Sequence, residues 1–251
     1  MAAAVEAKSG MNGSILQAEN ISRRFGGLVA VSDFSFEIRA GEVLGLIGPN
    51  GAGKSTTFNV LSGYFRPSSG RITFLGEDVT GLSAVAMSRR GLVRTFQHGS
   101  LLKGMTVREN ILIGALRSVR DKHARDRRID ETAEMLGLAA MLDSNAGSLP
   151  HGHQRMLSIA IAVAARPKLL CLDEPLAGLN NTEMSAALVA MRRLRDEFGM
   201  TIFLVDHNMR AIMQICERVV VLNYGRKLAE GTPLEIRQNA EVIRAYLGAS
   251  E

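Results

Sequence analysis

Cysteine is scarce in this chain of 251 residues: only Cys171 and Cys216 occur, with neither a disulfide framework nor a metal-ligand spacing between them. Both lie in apolar stretches and read as small core residues of a reducing compartment. Long hydrophobic runs are missing too. None approaches the roughly 18 apolar residues of a membrane span, so no transmembrane segment is expected. The start, Met1 to Gly10, lacks the basic-then-apolar order of a secretion signal. Residues 1–14 read as a disordered lead-in, with Met11 as an alternative start. These absences point to the cytosol, with docking on something in the membrane left open. Charge of one sign is also in short supply, since 30 Lys and Arg against 25 Asp and Glu leave a net charge of +5. The densest basic run, Arg117 to Arg128, is interleaved with Asp121 and Asp126 and reads as a solvated helix face or loop, not a nucleic-acid patch. There is no internal repeat and no low-complexity segment.

What is present is an ordinary globular composition, 46% hydrophobic and 22% charged, in a length that suits one large α/β domain or two small ones. The strongest local signal is Gly48-Pro49-Asn50-Gly51-Ala52-Gly53-Lys54-Ser55-Thr56, which matches G-x-x-x-x-G-K-[ST] in full. An apolar run, Val43 to Ile47, precedes it, and a helix-compatible segment, Lys54 to Leu61, follows. Glycines let such a loop fold into a nest of inward-pointing N–H groups, and the next helix aims its positive end at the same point. Lys54 supplies a point charge for the β- and γ-phosphates, and the Ser55 hydroxyl is placed to ligate Mg²⁺. The expected ligand is a nucleoside triphosphate.

Short alternation over Ile15–Glu19 and Phe34–Ile38 predicts antiparallel strands, with Arg23–Gly27 between them as a turn carrying Phe25. Arg66–Gly70 is a turn, Arg71–Leu75 a strand, and Gly91–Gln97 an apolar run ending in a glutamine. From Thr106 to Arg166 the pattern turns helical, over Thr106–Arg117, Arg128–Leu136 and His153–Ala165. Strand signals resume at Lys168–Leu172, Thr201–Val205 and Arg218–Leu222, with a helix over Thr182–Glu197. Apolar strands alternating with helices imply a parallel sheet covered on both faces. The second chemical signal ends the first of these strands: Asp173-Glu174-Pro175, an acidic pair at a strand's carboxyl end, on a neighbouring strand to the phosphate loop. Asp173 is placed to hold the Mg²⁺ shell through water, and Glu174 to polarise an attacking water as general base.

With these two motifs the chain resembles the ATP-binding subunit of ABC transporters over about residues 15–248. The resemblance implies a P-loop NTPase core with a mostly parallel sheet, an N-terminal antiparallel β subdomain and an inserted helical subdomain. It divides the chain into a core at 15–95 and 167–230, a helical subdomain at 98–166, and a C-terminal helical segment at 231–248. It implies further parts: Phe25 stacking on adenine, Gln97 touching Mg²⁺ at the transmembrane interface, and His207 bonding the γ-phosphate as a neutral imidazole. The family's signature motif, usually Leu-Ser-Gly-Gly-Gln, stands here as Leu149-Pro150-His151-Gly152-His153. Pro150 lacks the serine's donor, while Gly152 keeps the position where backbone approaches phosphate, with a helix starting beyond it. Ala177-Gly178-Leu179-Asn180 ends in asparagine where aspartate is commoner. In this family two subunits sandwich two ATP molecules, each held by one subunit's phosphate loop and the other's signature motif.

Arg24–Val31, Arg94–Gln97, Ala177–Asn180 and the tail from Glu230 to Gly248 resemble the larger ATPase of branched-chain amino acid uptake systems. That resemblance implies ATP hydrolysis with Mg²⁺ and a peripheral place at the cytoplasmic face of the plasma membrane. The implied partners are permease subunits, a substrate-binding protein and an identical or homologous ATPase, without nucleic acid. Related systems for urea, other amino acids or lipopolysaccharide export are the alternatives, followed by a soluble non-transport ABC ATPase. A module that binds without hydrolysing would lack the carboxylate at Glu174.

Overall fold

The computed structural model describes residues 13–95, 101–116 and 118–247. Its first two strands, β1 (Ser14–Phe25) and β2 (Leu28–Arg39), form an antiparallel hairpin closed by Gly26 and Gly27. Both strands outrun the alternating segments. β1 has a register shift near Asn20, a left-handed residue at φ 49, so the simple in–out pattern breaks there while the pairing continues. Phe25 is therefore the last residue of a strand and not part of a turn, and Ser14, assigned to the lead-in, opens β1. β3 (Val43–Ile47) follows, then the phosphate loop and α1 (Lys54–Leu61). β4 (Ser69–Phe74) and β5 (Glu77–Asp78) complete a four-stranded antiparallel sheet in the order β2-β1-β4-β5.

After α2 (Ala84–Arg90) and β6 (Leu92–Arg94) come three helices: α3 (Val107–Ala115), α4 (Lys122–Met135) and α5 (His151–Ala164). Thr106 and Glu109 close a capping box on α3, and Asp121 caps α4. α3 lies hard against α5: a Cβ on Gly114 would stand 1.9 Å from the Ile161 carbonyl oxygen. The rest alternates as β7 (Leu169–Asp173), α6 (Asn181–Asp196), β8 (Thr201–Val205), α7 (Met209–Ile215) and β9 (Arg218–Asn223). β10 (Arg226–Gly231), α8 (Pro233–Gln238) and α9 (Ala240–Leu247) close the described chain.

The second sheet runs β10-β9-β3-β8-β7-β6, parallel throughout except for β10. Every residue of β3, β7 and β8 is buried, as strands covered on both faces must be. Alternation sorts β3 between two cores. Leu44 and Leu46 join Phe34, Phe36, Phe58 and Phe203 under the antiparallel sheet, whereas Val43 and Ile47 join the apolar faces of α3, α5, α6 and α7. The carboxyl ends of β3, β7 and β8 thus emerge along one edge. β8 lies between β3 and β7, so the phosphate loop and the acidic pair are next-but-one strands and not immediate neighbours.

Candidate functional site

The phosphate loop leaves β3 through a contact that only glycine permits. A Cβ at Gly48 would stand 2.1 Å from the Leu222 carbonyl oxygen of β9, and one at Gly53, φ 103, would stand 2.5 Å from the Ala30 carbonyl oxygen. Pro49, Asn50, Gly51 and Ala52 form the crest, where the Ala52 N–H donates to the Pro49 carbonyl at 3.2 Å. From outside, the Gly225 N–H donates to the Ala52 carbonyl at 2.9 Å. Gly53 starts α1 without a side-chain cap, so Lys54, Ser55 and Thr56 stand in a first turn whose N–H groups face the concavity. Lys54 Nζ donates to the Gly48 and Pro49 carbonyls at 2.7 and 2.9 Å. Burial lowers its pKa, opposed by the charges of Glu174 and Asp173, which places all three in one electrostatic neighbourhood.

At the end of β7 the Asp173 carboxylate is buried, with an Oδ1 that has no hydrogen-bond partner. Burial, followed by the charge of Glu174, pushes its pKa up to about 6, against the pull of Arg94 and Lys54. Glu174 turns out of the strand at φ 47, a left-handed conformation unusual for a residue with a long side chain, and its N–H donates to the Val205 carbonyl at 2.7 Å. That twist keeps its carboxylate partly open to solvent beside the loop. His207, beyond β8, is 61% exposed at its side chain, with Nδ1 3.9 Å from Glu174 Oε1.

Two residues with no predicted role complete this edge. Asp206 is buried and accepts from the Leu176 N–H at 3.2 Å and the Asn208 N–H at 2.8 Å, tying the loop after β7 to the loop after β8. Its only sequence signal is a carboxylate at a strand end beside His207. Arg94 donates through Nη1 to Asn59 Oδ1 at 2.6 Å and Ser62 Oγ at 3.0 Å, and its guanidinium covers the Phe58 ring at 4.8 Å. A charge inside the apolar run Gly91–Gln97 was the hint available. Gln97 itself lies outside the described residues.

Phe25 is 38% exposed on the hairpin end that touches the loop through Ala30. Its ring packs edge-on against Phe65 with centroids 5.3 Å apart, and the Arg23 guanidinium sits 4.5 Å from its centroid. Leu149 is buried and Pro150 starts α5 without a side-chain hydrogen bond. The helix begins at His151, ahead of Gly152 and not beyond it, because proline's extended ψ of 151 serves as the turn into the helix. Gly152 abuts Glu183 of α6, His151 abuts Gly178, and His153 has a buried Nδ1 without a partner. The contacts of this stretch run to the loop after β7 and to α6. Among the described residues, Leu149–His153 and Gly48–Thr56 make no hydrogen bond to each other.

The site fits a triphosphate with a divalent cation. Gly48 and Gly53 leave no room for a Cβ where the loop packs on Leu222 and Ala30, and the orphaned, buried Asp173 Oδ1 has an unmet acceptor. Among the described residues no group of three or more His, Cys, Asp or Glu could hold a metal alone, which suits Mg²⁺ bound largely by phosphate and water. A phosphate cradle facing two strand-end carboxylates across a parallel sheet defines a phosphate-loop nucleoside triphosphatase.

Residues 31–177 match the family model for ABC transporters, and residues 226–251 match that for branched-chain amino acid ATP-binding cassette transporters. The chain belongs to the ABC transporter ATP-binding family. It is 41% identical to the high-affinity branched-chain amino acid transport ATP-binding protein LivG of Salmonella typhimurium, over 95% of this chain and 99% of that one. BraF of Pseudomonas aeruginosa, of the same description, is 40% identical over the same shares. The lipopolysaccharide export ATP-binding protein LptB of Escherichia coli is 35% identical over 93% of this chain and 97% of that one. Among solved structures, an ATP-binding cassette of an ABC transporter in its ADP conformation superposes with a TM-score of 0.85 at 29% identity, covering 94% of this chain and 99% of that one. The fold class is therefore that of an ABC ATPase. No helix among the described residues is long and apolar enough to cross a membrane.

Proposed function

We propose that this chain is the ATP-hydrolysing subunit of an importer for branched-chain amino acids. It would work at the cytoplasmic face of the plasma membrane as half of a dimer that ATP closes and hydrolysis opens. The observation that carries the chemistry is the buried, unpartnered Asp173 Oδ1 beside Glu174, facing the cradle of Lys54 across one strand. The cargo rests on likeness to LivG and BraF along nearly the whole chain, and on the matching tail.

In this reading the N–H groups of Gly48–Thr56 and the Lys54 ammonium bind the phosphates, and Phe25 stacks on the base. On arrival of the nucleotide, Lys54 exchanges its two carbonyl partners for phosphate oxygens. Ser55, Asp173 and Gln97 would hold Mg²⁺, which would supply positive charge to offset that of the β- and γ-phosphates. Glu174 accepts a proton from a water that attacks the γ-phosphorus, and the bond to the bridging oxygen breaks to leave ADP and inorganic phosphate. His207 donates a hydrogen bond to the γ-phosphate. Leu149, Pro150, His151, Gly152 and His153 face the nucleotide of the partner subunit. With Pro150 lacking a hydroxyl, the backbone N–H groups at the start of α5 make that contact. The partner ATPase is a second copy or a homologue; permease subunits turn closure into motion, and a binding protein delivers cargo.

LptB-like export is the second reading, favoured by the 35% identity to that protein. Purification from membranes followed by reconstitution separates the two. The importer reading predicts co-purified permeases and leucine-stimulated ATP hydrolysis in proteoliposomes. Hydrolysis indifferent to leucine, isoleucine and valine, with lipopolysaccharide bound to the recovered complex, would sink it in favour of export.

A further inference from the structure

Asp206 contributes no atom to the chemistry above, yet its carboxylate stands behind both loops that do. It follows β8, whose last residue, Val205, pairs with Asp173 and accepts the Glu174 N–H at 2.7 Å. The residue after Glu174 is Pro175, which has no N–H, so the next donor on that loop belongs to Leu176. Leu176 donates to Asp206 Oδ2 at 3.2 Å. The segment from Glu174 to Leu176 is thus held at both ends from the β8 side. On the other loop, the Asn208 N–H donates to Asp206 Oδ1 at 2.8 Å, an Asx turn with His207 at its centre. Asn208 in turn caps α7, its Oδ1 accepting the Ala211 N–H at 3.1 Å. His207 Nδ1 stands 3.9 Å from Glu174 Oε1 and 3.9 Å from Asp206 Oδ1. The Asp206 side chain is itself shut off from solvent.

We propose that Asp206 is a positioning residue for hydrolysis, its one buried carboxylate setting the Glu174 and His207 loops against each other so that both side chains meet the same nucleotide. The inference rests on the roles given to Glu174 and His207 above. Two backbone N–H groups need an acceptor here, and aspartate offers two oxygens on the shortest acidic side chain, where asparagine offers one. Glu174 also holds its left-handed backbone at φ 47, which persists only where the surroundings enforce it. Without the hold on Leu176 that backbone relaxes, and a base displaced by about 1 Å costs about 10²-fold in rate. Lys54 takes its hydrogen bonds from Gly48 and Pro49, away from Asp206, so binding of the nucleotide is spared.

The test is Asp206→Asn in the full chain, which keeps the shape and one acceptor oxygen, beside Asp206→Ala, which keeps neither oxygen. ADP affinity is measured by titration calorimetry, with steady-state ATP hydrolysis and backbone hydrogen exchange without nucleotide alongside. Expected losses in kcat are about ten-fold for Asp206→Asn and about 10²-fold for Asp206→Ala, with the Kd for ADP within about two-fold of the wild type. Exchange should quicken in the peptides carrying Leu176 and Asn208 and stay unchanged in α1. Unchanged kcat would overturn the proposal. So would equal losses in the two variants, which mark an effect of charge alone. Faster exchange across the whole chain with weakened ADP binding would overturn it too, since that marks a merely structural role. If Asp206→Ala does not fold, the split between kcat and Kd in Asp206→Asn decides. An unmutated chain that binds ADP but hydrolyses no ATP would instead overturn the roles of Glu174 and His207.

Discussion

Asp173 carries the sharpest tension at the level of single residues. Its carboxylate is buried without a partner for Oδ1, and its pKa rises from 3.8 to about 6, chiefly through burial. Between those values the native state holds more protons than the unfolded chain, so stability falls as pH climbs through that window and stays lower above it. Asparagine is neutral throughout. In the nucleotide-free protein, Asp173→Asn should therefore match the wild type near pH 4 and melt progressively higher as pH approaches 6, by about 2–4 °C for each kcal/mol relieved. Thermal unfolding between pH 4 and 8 measures this, and a gap independent of pH would mean that ionisation is not its source. Position and residue type at Asp173, Glu174 and Lys54 were legible because each sits in a short contiguous motif. Asp206 and Arg94 were not, since their roles are contacts between loops or elements far apart in sequence.

Among elements, α1 and β8 coincide with their expected ranges, and the alternating or continuous apolar patterns that defined them are local. The short helices α2 and α7 escaped notice because seven residues hold too little periodicity to read. Within the helical tail expected at 231–248, Thr232 and Glu235 close a capping box on α8, with proline at the helix start and six helical residues after Thr232. Gly114 illustrates a different blindness. In an isolated helix, alanine would be favoured there by about 1 kcal/mol. Here its Cβ would press on the Ile161 carbonyl of α5, so backbone must move, at a cost of about 1–3 kcal/mol. Gly114→Ala is accordingly expected to be net destabilising despite the gain in propensity. Urea unfolding decides the sign; a stabilised variant would mean that α3 and α5 can separate freely.

For the molecule as a whole, the phosphate loop and Leu149–His153 sit on one chain without a hydrogen bond between them, and the contacts of the latter run to Gly178 and Glu183. A two-subunit sandwich gives each a use. Glu174→Gln removes the proposed base while preserving shape, so hydrolysis should drop about 10²–10⁴-fold and an ATP-bound dimer should accumulate. Light scattering with ATP against ADP reads the outcome. A Glu174→Gln protein that stays monomeric with ATP, or hydrolyses at the wild-type rate, would contradict the assigned roles.

The sequence by itself determined the chemistry on offer: nine consecutive residues with the phosphate-loop pattern and an acidic pair ending a buried strand, each set by neighbours along the chain. It also determined the α/β alternation, because apolar periodicity is a local property. Tertiary structure alone decided that β8 runs between β3 and β7 and that Asp206 ties two loops together. Those facts depend on which distant segments meet when the sheet closes. A pairing such as that of the Val43 N–H with the Glu217 carboxylate, 174 residues apart, leaves no periodic mark in the sequence.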